Sequence, residues 1–270
     1  MQITSSEYIK KQLALGETIH EHNGVWWIKS SHFVCKPVNP YQIIERDMAR
    51  PKYIKSFLGY SHLVRDKKTA NSYWPKFILT NDKIRNFGFD CISQKRRNIV
   101  RKGLKLTEIR KIENIYPLIN NIKDVCISTA VRTGRGYPPN YYIQNYEKWK
   151  SYICKMFNIG LGEWWGAFYE NLLIAYIYVY QIDDTMIIAA AKSHTDYLDK
   201  CPNDALIFTF LNHCKQTVEC KRIEYGSWSE DNESLNSFKQ RFGFERMDLP
   251  VYAKYNHFIA LAKKLIKRKK

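Results

Sequence analysis

The sequence predicts an α/β (α+β) fold in which a mixed, mostly antiparallel sheet is flanked by helices. Three observations carry this. Residues 163–193 hold three strand-like runs separated by two tight turns, at Glu170-Asn171 and at Ile182-Asp183-Asp184. From residue 201 onward helical and strand patterns alternate, as they do where crossovers add strands to a sheet. The 270 residues are 45% hydrophobic and 26% charged, which are globular proportions with enough chain to bury a sizeable core.

The elements follow in order. Residues 17–22, 25–29 and 31–38 alternate like a strand meander, and 57–64 and 77–80 add two more strand candidates. Residues 93–104 form a helix with Ser93 as N-cap and a dense basic run. A strand is expected at 104–110. Residues 111–132 place Ile112, Ile115, Ile119, Ile122 and Val125 close to a 3.6-residue period, so this stretch is a helix. The turn-rich segment 133–140 breaks it, and a second helix covers 141–157. Strands at 163–169, 173–181 and 185–193 come next. A helix with Pro202 near its start then spans 201–220. A strand at 222–226, a helix at 229–241 and a strand at 244–254 complete the order. Trp164 and Trp165 open a strand with opposite facings, so one of the two is expected in the core. The expected division is a basic N-terminal part (1–104), a second domain (105–255) and a basic tail (256–270).

Charge is unevenly distributed. The formal net charge is +17, and residues 1–105 carry 20 Lys/Arg against 8 Asp/Glu, whereas 106–262 are near neutral. Six cations and no acid occupy 263–270. The excess suggests an anionic partner; a Lys-rich solubilising surface is the plain alternative. The start has no long apolar run of the signal-peptide kind, and the longest purely apolar stretch, 172–180, is too short to span a bilayer, so a cytoplasmic protein is expected. The seven cysteines have no C-x-x-C pair, and His20, His22, His32 and Cys35 lack a second ligand pair, so no metal site is expected. Gly-rich nucleotide loops and a G-x-S-x-G elbow are absent.

Asn232, Lys239 and Gly243-Phe244 fall where the GNAT acyltransferase superfamily has an Asn, a Tyr seven residues later and a Gly-Phe pair four residues after that. A narrower set of motifs resembles the Fem-type aminoacyltransferases and their acetyltransferase-like relatives. It comprises Ser234-Leu235, Phe238-Lys239 and Phe242-Gly243, with the basic segment Gln94 to Asn98 and Arg101-Lys102 upstream, Pro202-Asn203 opening a helix, and Tyr225-Gly226 ending the next strand. The resemblance covers about residues 90–255. It implies a GNAT fold, with the first 90 residues fitting loosely as a reduced first GNAT-like unit. One departure concerns the loop that holds the CoA pyrophosphate in ordinary GNAT enzymes: residues 193–204 contain no glycine here.

The resemblance implies acyl transfer to an amine or hydroxyl of a small or cell-envelope-type acceptor, with acyl-CoA (acetyl-CoA) as the expected donor and aminoacyl-tRNA as its rival. A non-catalytic nucleic-acid or polyanion binder on the same scaffold is the alternative from another class. Lys239 is the expected oxyanion stabiliser or proton donor, beside Phe238 in the donor–acceptor channel. Glu163 and His194, at strand ends, are the candidate bases. Tyr225, Trp228, Asn203 and Ser193 are candidate binding residues in the same segment. Arg96, Arg97 and Arg101 are candidate phosphate ligands, Arg97 and Arg101 sharing a helix face. Tyr137, with Tyr141, Tyr142 and Trp149, walls an acceptor groove or packs two helices. The basic stretch 258–270 is amphipathic and either rests on an anionic membrane or is a frayed tail.

Overall fold

A computed structural model describes residues 3–29, 34–45, 51, 58–217 and 219–256. In chain order the elements are α1 (Ser5–Leu15), β1 (Ile19–His22), β2 (Val25–Lys29), β3 (Val34–Pro37), β4 (Gly59–Leu63), β5 (Ser72–Thr80), α2 (Asn81–Arg85), α3 (Gln94–Leu106) and β6 (Glu108–Lys111). Then come α4 (Ile119–Thr133), α5 (Pro139–Gln144), α6 (Tyr146–Asn158), β7 (Glu163–Tyr169), β8 (Leu172–Ile182), β9 (Thr185–Ser193), α7 (Pro202–Thr217), β10 (Arg222–Ser227), α8 (Glu233–Gln240) and β11 (Glu245–Tyr255). Parts of the expected strands at 31–38 and 57–64, and the tail 257–270 with its proposed membrane contact, lie outside the described residues. Among the described residues no helix is long and apolar enough to cross a membrane.

The chain divides into two compact units, one of residues 1–3 with 77–246 and one of residues 4–76 with 247–270. In the smaller unit the strand order is β1-β2-β3-β4-β11. The pairs β1–β2, β2–β3 and β4–β11 are antiparallel, and β3–β4 is parallel. Val25, Trp27, Cys35, Ile44 and Tyr60 form its core. Helix α1 was not expected, yet its start carries a reciprocal capping box between Thr4 and Glu7, and its end carries Gly16 in the left-handed region at φ 99°.

In the larger unit the order is β5-β10-β9-β8-β7-β6. Strands β6 to β9 form an antiparallel meander, and β10 runs parallel to β9. Both faces are covered. On one face, the Cys126 side chain of α4 meets Tyr176 of β8. On the other, residues of α7 such as Ile207, Phe210 and Leu211 join Trp165, Ile177 and Val179 in one core cluster. Double coverage explains why Trp164 and Trp165 are both buried, at 3% and 8% exposure, although they face opposite ways.

The division does not fall near residue 104. Phe77, Leu79, Phe87 and Val100 belong to the core that also holds Trp165 and Phe242. Helix α3 lies against α7 so closely that a Cβ on Gly103 would stand 2.7 Å from the Cys201 carbonyl oxygen and 2.9 Å from the Ala205 Cβ. Helix α3 also outruns its expected end. Thr107 caps it through Oγ1, which donates to the Gly103 carbonyl at 2.7 Å, so β6 starts only at Glu108. The expected single helix at 141–157 is two, α5 and α6, separated at Asn145.

Candidate functional site: a cationic cleft where two parallel strands part

The parallel ladder between β9 and β10 pairs Thr185, Met186 and Ile187 with Arg222, Ile223 and Glu224. Beyond it β9 runs on to Ser193 after a register shift against β8 at Tyr178/Val179, and β10 ends soon after Gly226, which sits at φ 66°. A cleft of about 730 Å³ lies there. Residues 188–192 of β9, Tyr225 and Gly226 of β10, Leu235, Phe238 and Lys239 of α8, and the end of α4 with the following turn line it.

Helix α8 aims its residues through local bonds. The Asn232 side chain caps it by accepting from the Leu235 N–H at 3.2 Å. Asn236 fixes the preceding loop, donating to the Ser229 carbonyl at 2.6 Å and accepting from the Ser229 N–H at 3.3 Å. Lys239 is thereby buried to 3% exposure. Its Nζ donates to the Ser227 carbonyl at 3.1 Å and lies 4.8 Å from the Phe77 ring centroid and 5.2 Å from that of Tyr225. Burial, with the charge of Asp204 adding to it, pushes the Tyr225 hydroxyl far above its usual value, so the phenol is neutral.

Ser193, fully buried, organises the opposite rim. Its Oγ accepts from Asn203 Nδ2 at 2.9 Å and from Arg132 Nη2 at 3.2 Å, while its backbone exchanges bonds with Thr129 Oγ1. Asn203 Oδ1 is buried without a hydrogen-bond partner, and Asn203 lines the cleft. Among the described residues the lining side chains include Arg132, Arg135, Lys192 and Lys239 and no Asp, Glu or His, so an anionic or strongly polar ligand suits this cleft.

The structure thus brings together Lys239, Phe238, Tyr225 and Asn203 on the cleft wall, with Ser193 bonded beneath. It places the other candidates elsewhere. Glu163 accepts from Lys111 Nζ at 3.0 Å and from Trp165 Nε1 at 3.4 Å. Burial alone would raise its pKa, but the Lys111 ammonium and these bonds hold it below the usual carboxylate value. It is an ionised partner on β7, away from the lining. His194 caps the turn after β9, with Nδ1 accepting from the Asp196 N–H at 3.4 Å and its ring against Tyr197. The Trp228 ring lies under the Arg246 guanidinium at 4.1 Å. Arg96 is a core residue at 5% exposure, ion-paired with Asp204 and stacked on Phe238 and Phe242. Arg97 points to Asp90 and Arg101 to the Phe89 ring, so none of the three arginines lines the cleft. Tyr137 is 56% exposed and stacks on Tyr141 at 4.0 Å, just past the lining residue Gly136.

Sequence reasoning missed Arg132, Arg135 and Lys192. Lys192 had a visible signal, as the one charged residue in the otherwise apolar run of β9. The two arginines sit in and beside a turn-rich segment, and only the fold brings them to the cleft.

Helix α7 opens differently from a glycine-built phosphate cradle. Cys201 adopts the left-handed conformation at φ 56°, the Arg96–Asp204 pair fills the first turn, and α3 lies directly on it at Gly103. The residues here do not fit a CoA pyrophosphate laid on backbone N–H groups.

No family model matches the sequence, and no curated protein matches it. Solved structures do match, at low identity. FemX matches with a TM-score of 0.57 and 10% identity over 93% of this chain and 91% of that one. L-PGS from Bacillus licheniformis matches with a TM-score of 0.57 and 11% identity over 97% and 95%. A tandem GNAT protein from the clavulanic acid biosynthesis pathway matches with a TM-score of 0.52 and 9% identity over 86% and 78%. The likeness shows a GNAT-type fold of the kind these proteins share.

Proposed function

We propose that the chain is an acyltransferase that moves an acyl group to an amine or hydroxyl of a small or cell-envelope-type acceptor through the β9–β10 cleft. One observation carries this: a buried lysine, Lys239, lines a cleft whose charged side chains are all cationic, on a GNAT-type sheet. The attacking group must lose a proton, and the carbonyl oxygen gains negative charge as the tetrahedral intermediate forms. The Lys239 ammonium, held by the Ser227 carbonyl and two ring faces, is a fixed positive group for that charge. The Asn203 Oδ1 without a partner is an acceptor for an N–H or O–H of the substrate. The described lining residues offer cations and amides and no carboxylate or imidazole, which favours positioning and charge stabilisation over a protein base.

Acyl-CoA is the first donor to test, and one of the matching structures is described by its state without AcCoA. Its pyrophosphate would be held by cleft cations and not by the start of α7. That filled helix start favours a second reading, aminoacyl-tRNA, whose acyl end needs no pyrophosphate cradle. Calorimetric titration separates them. Heat with acetyl-CoA supports the first; no heat at millimolar ligand together with tight, salt-sensitive tRNA binding supports the second. With the donor known, Lys239→Met should lower kcat by about 10²–10³, the range for losing one stabilising group at a developing oxyanion. Equal turnover by wild type and variant would remove Lys239 from the chemistry.

A further inference from the structure

Beneath the cleft lies a cluster of groups that shares one residue, Lys192, with the cleft lining. Cys126, in the middle of α4, is 2% exposed. Its Sγ is 3.1 Å from the Tyr176 hydroxyl of β8 and 3.1 Å from Lys192 Nζ of β9. Lys192 Nζ is also 3.5 Å from the Tyr142 hydroxyl and 5.8 Å from the centroid of the same ring. Tyr142 and Tyr176 are themselves buried at 2% and 3% exposure, and the Trp149 and Tyr142 rings pack in a T-shaped pair. The half-buried Lys192 ammonium therefore meets a thiol and a phenol. Lys192 also lines the cleft, so small molecules in the cleft can reach the pair.

We propose that Cys126 and Lys192 form a reversible covalent cross-link, Sγ–O–Nζ, with dioxygen as the oxidant. One thiol, one ammonium and one dioxygen give the S–O–N bridge, one water and one released proton. The sulfur and the nitrogen each give up two electrons, and dioxygen takes all four. One of its oxygen atoms stays in the bridge and the other leaves as water. Four thiols reverse the step, returning thiol, amine and water and leaving two disulfides. The placement favours this over simple thiol oxidation. Sγ and Nζ are in contact before reaction, and Tyr142 and Tyr176 hold both atoms in place. The bridge removes the Lys192 charge from the cleft, so it weakens binding of an anionic ligand there whatever group the cleft transfers.

The full chain in air-saturated buffer should yield, on peptide mapping, a linked pair of peptides carrying Cys126 and Lys192. Its mass should exceed their sum by one oxygen less two hydrogens. Excess thiol should abolish the pair, and anaerobic protein, Cys126→Ser and Lys192→Gln should not form it. Exposed Cys91 reports that oxidation took place. Oxidised Cys91 together with unlinked Cys126, whether free thiol or sulfinic acid, would overturn the proposal. Cys126→Ser removes one sulfur and keeps a small polar side chain. Its thermal midpoint, compared with that of the reduced wild type, shows whether the variant is folded. If it is not, the wild-type comparison with and without air still decides.

Discussion

Lys239 and Glu163 show how environment divides the roles of two ionisable residues at matching positions of interest. Lys239 is buried with its ammonium on a carbonyl and two rings at the cleft, whereas Glu163 is tied to Lys111 and Trp165 on β7. Glu163→Gln should therefore leave turnover within about twofold and cost about 1 kcal/mol of stability or less, the usual worth of a partly exposed ion pair. Because its folded pKa lies below 4.5, the Glu163 contribution is present above about pH 4.5 and is lost as pH falls through the folded value. The difference between the two melting curves should vanish in strong acid. His62, in the smaller unit, behaves in the same sense for another reason. It is fully buried, Nδ1 meets the Leu63 carbonyl at 3.0 Å, and Nε2 has no hydrogen-bond partner. Burial holds its pKa below 6.5, so the imidazole is neutral when folded, and stability falls as pH drops below about 6.5 because the unfolded chain binds the proton more readily. Thermal midpoints at pH 8 and pH 5.5 should differ in wild type and differ less in His62→Phe, where His213, also held low by burial, still titrates. Equal shifts in both proteins would assign the effect elsewhere.

At the scale of elements, the contact of α3 with α7 is the most sensitive. Gly103→Ala places a Cβ at 2.7 Å from a backbone oxygen and 2.9 Å from another Cβ, which the helices can relieve only by moving apart. A loss of about 1–3 kcal/mol is expected, the usual cost of overpacking, read as a lower denaturant midpoint. An unchanged midpoint would mean that the two helices do not touch there. Much at this scale was legible in the sequence. The meander β7–β8–β9, the helix α7 and the order α8–β11 follow from alternation, a 3.6-residue period and turn residues over long runs. Helix α1 carries its own capping signal in the sequence, Thr4 and Glu7 three residues apart. The break at Asn145, where the backbone leaves the helical region at φ -115° and ψ 26°, carries no such signal, because aromatic residues continue on both sides of it.

For the whole molecule, charge and chemistry separate. The +17 excess lies mainly in residues 1–105 and 263–270, while the cleft holds only four of the 43 Lys/Arg side chains. If the donor is aminoacyl-tRNA, binding of tRNA, measured by anisotropy across a salt series, weakens steeply with salt in wild type. It should do so equally in Lys239→Ala, because a lysine 3% exposed makes no outer phosphate contact. A shallower slope in the variant would instead place a phosphate on Lys239.

The sequence by itself determined the α+β class, the order of most elements and the motif around Phe238 and Lys239, because periodicity, caps and spacing are local properties of the chain. It also located the charge excess. Only the tertiary structure decided which residues share the cleft. Arg96, Arg97 and Arg101 formed the most basic run in view, yet one is buried in an ion pair and the other two lie off the lining. Arg132, Arg135 and Lys192, unremarked in the sequence, face the cleft with Lys239. The parting of β9 from β10 is a non-local event, set by where a ladder stops, and the side chains that meet across it come from segments up to 110 residues apart, from Thr129 to Lys239.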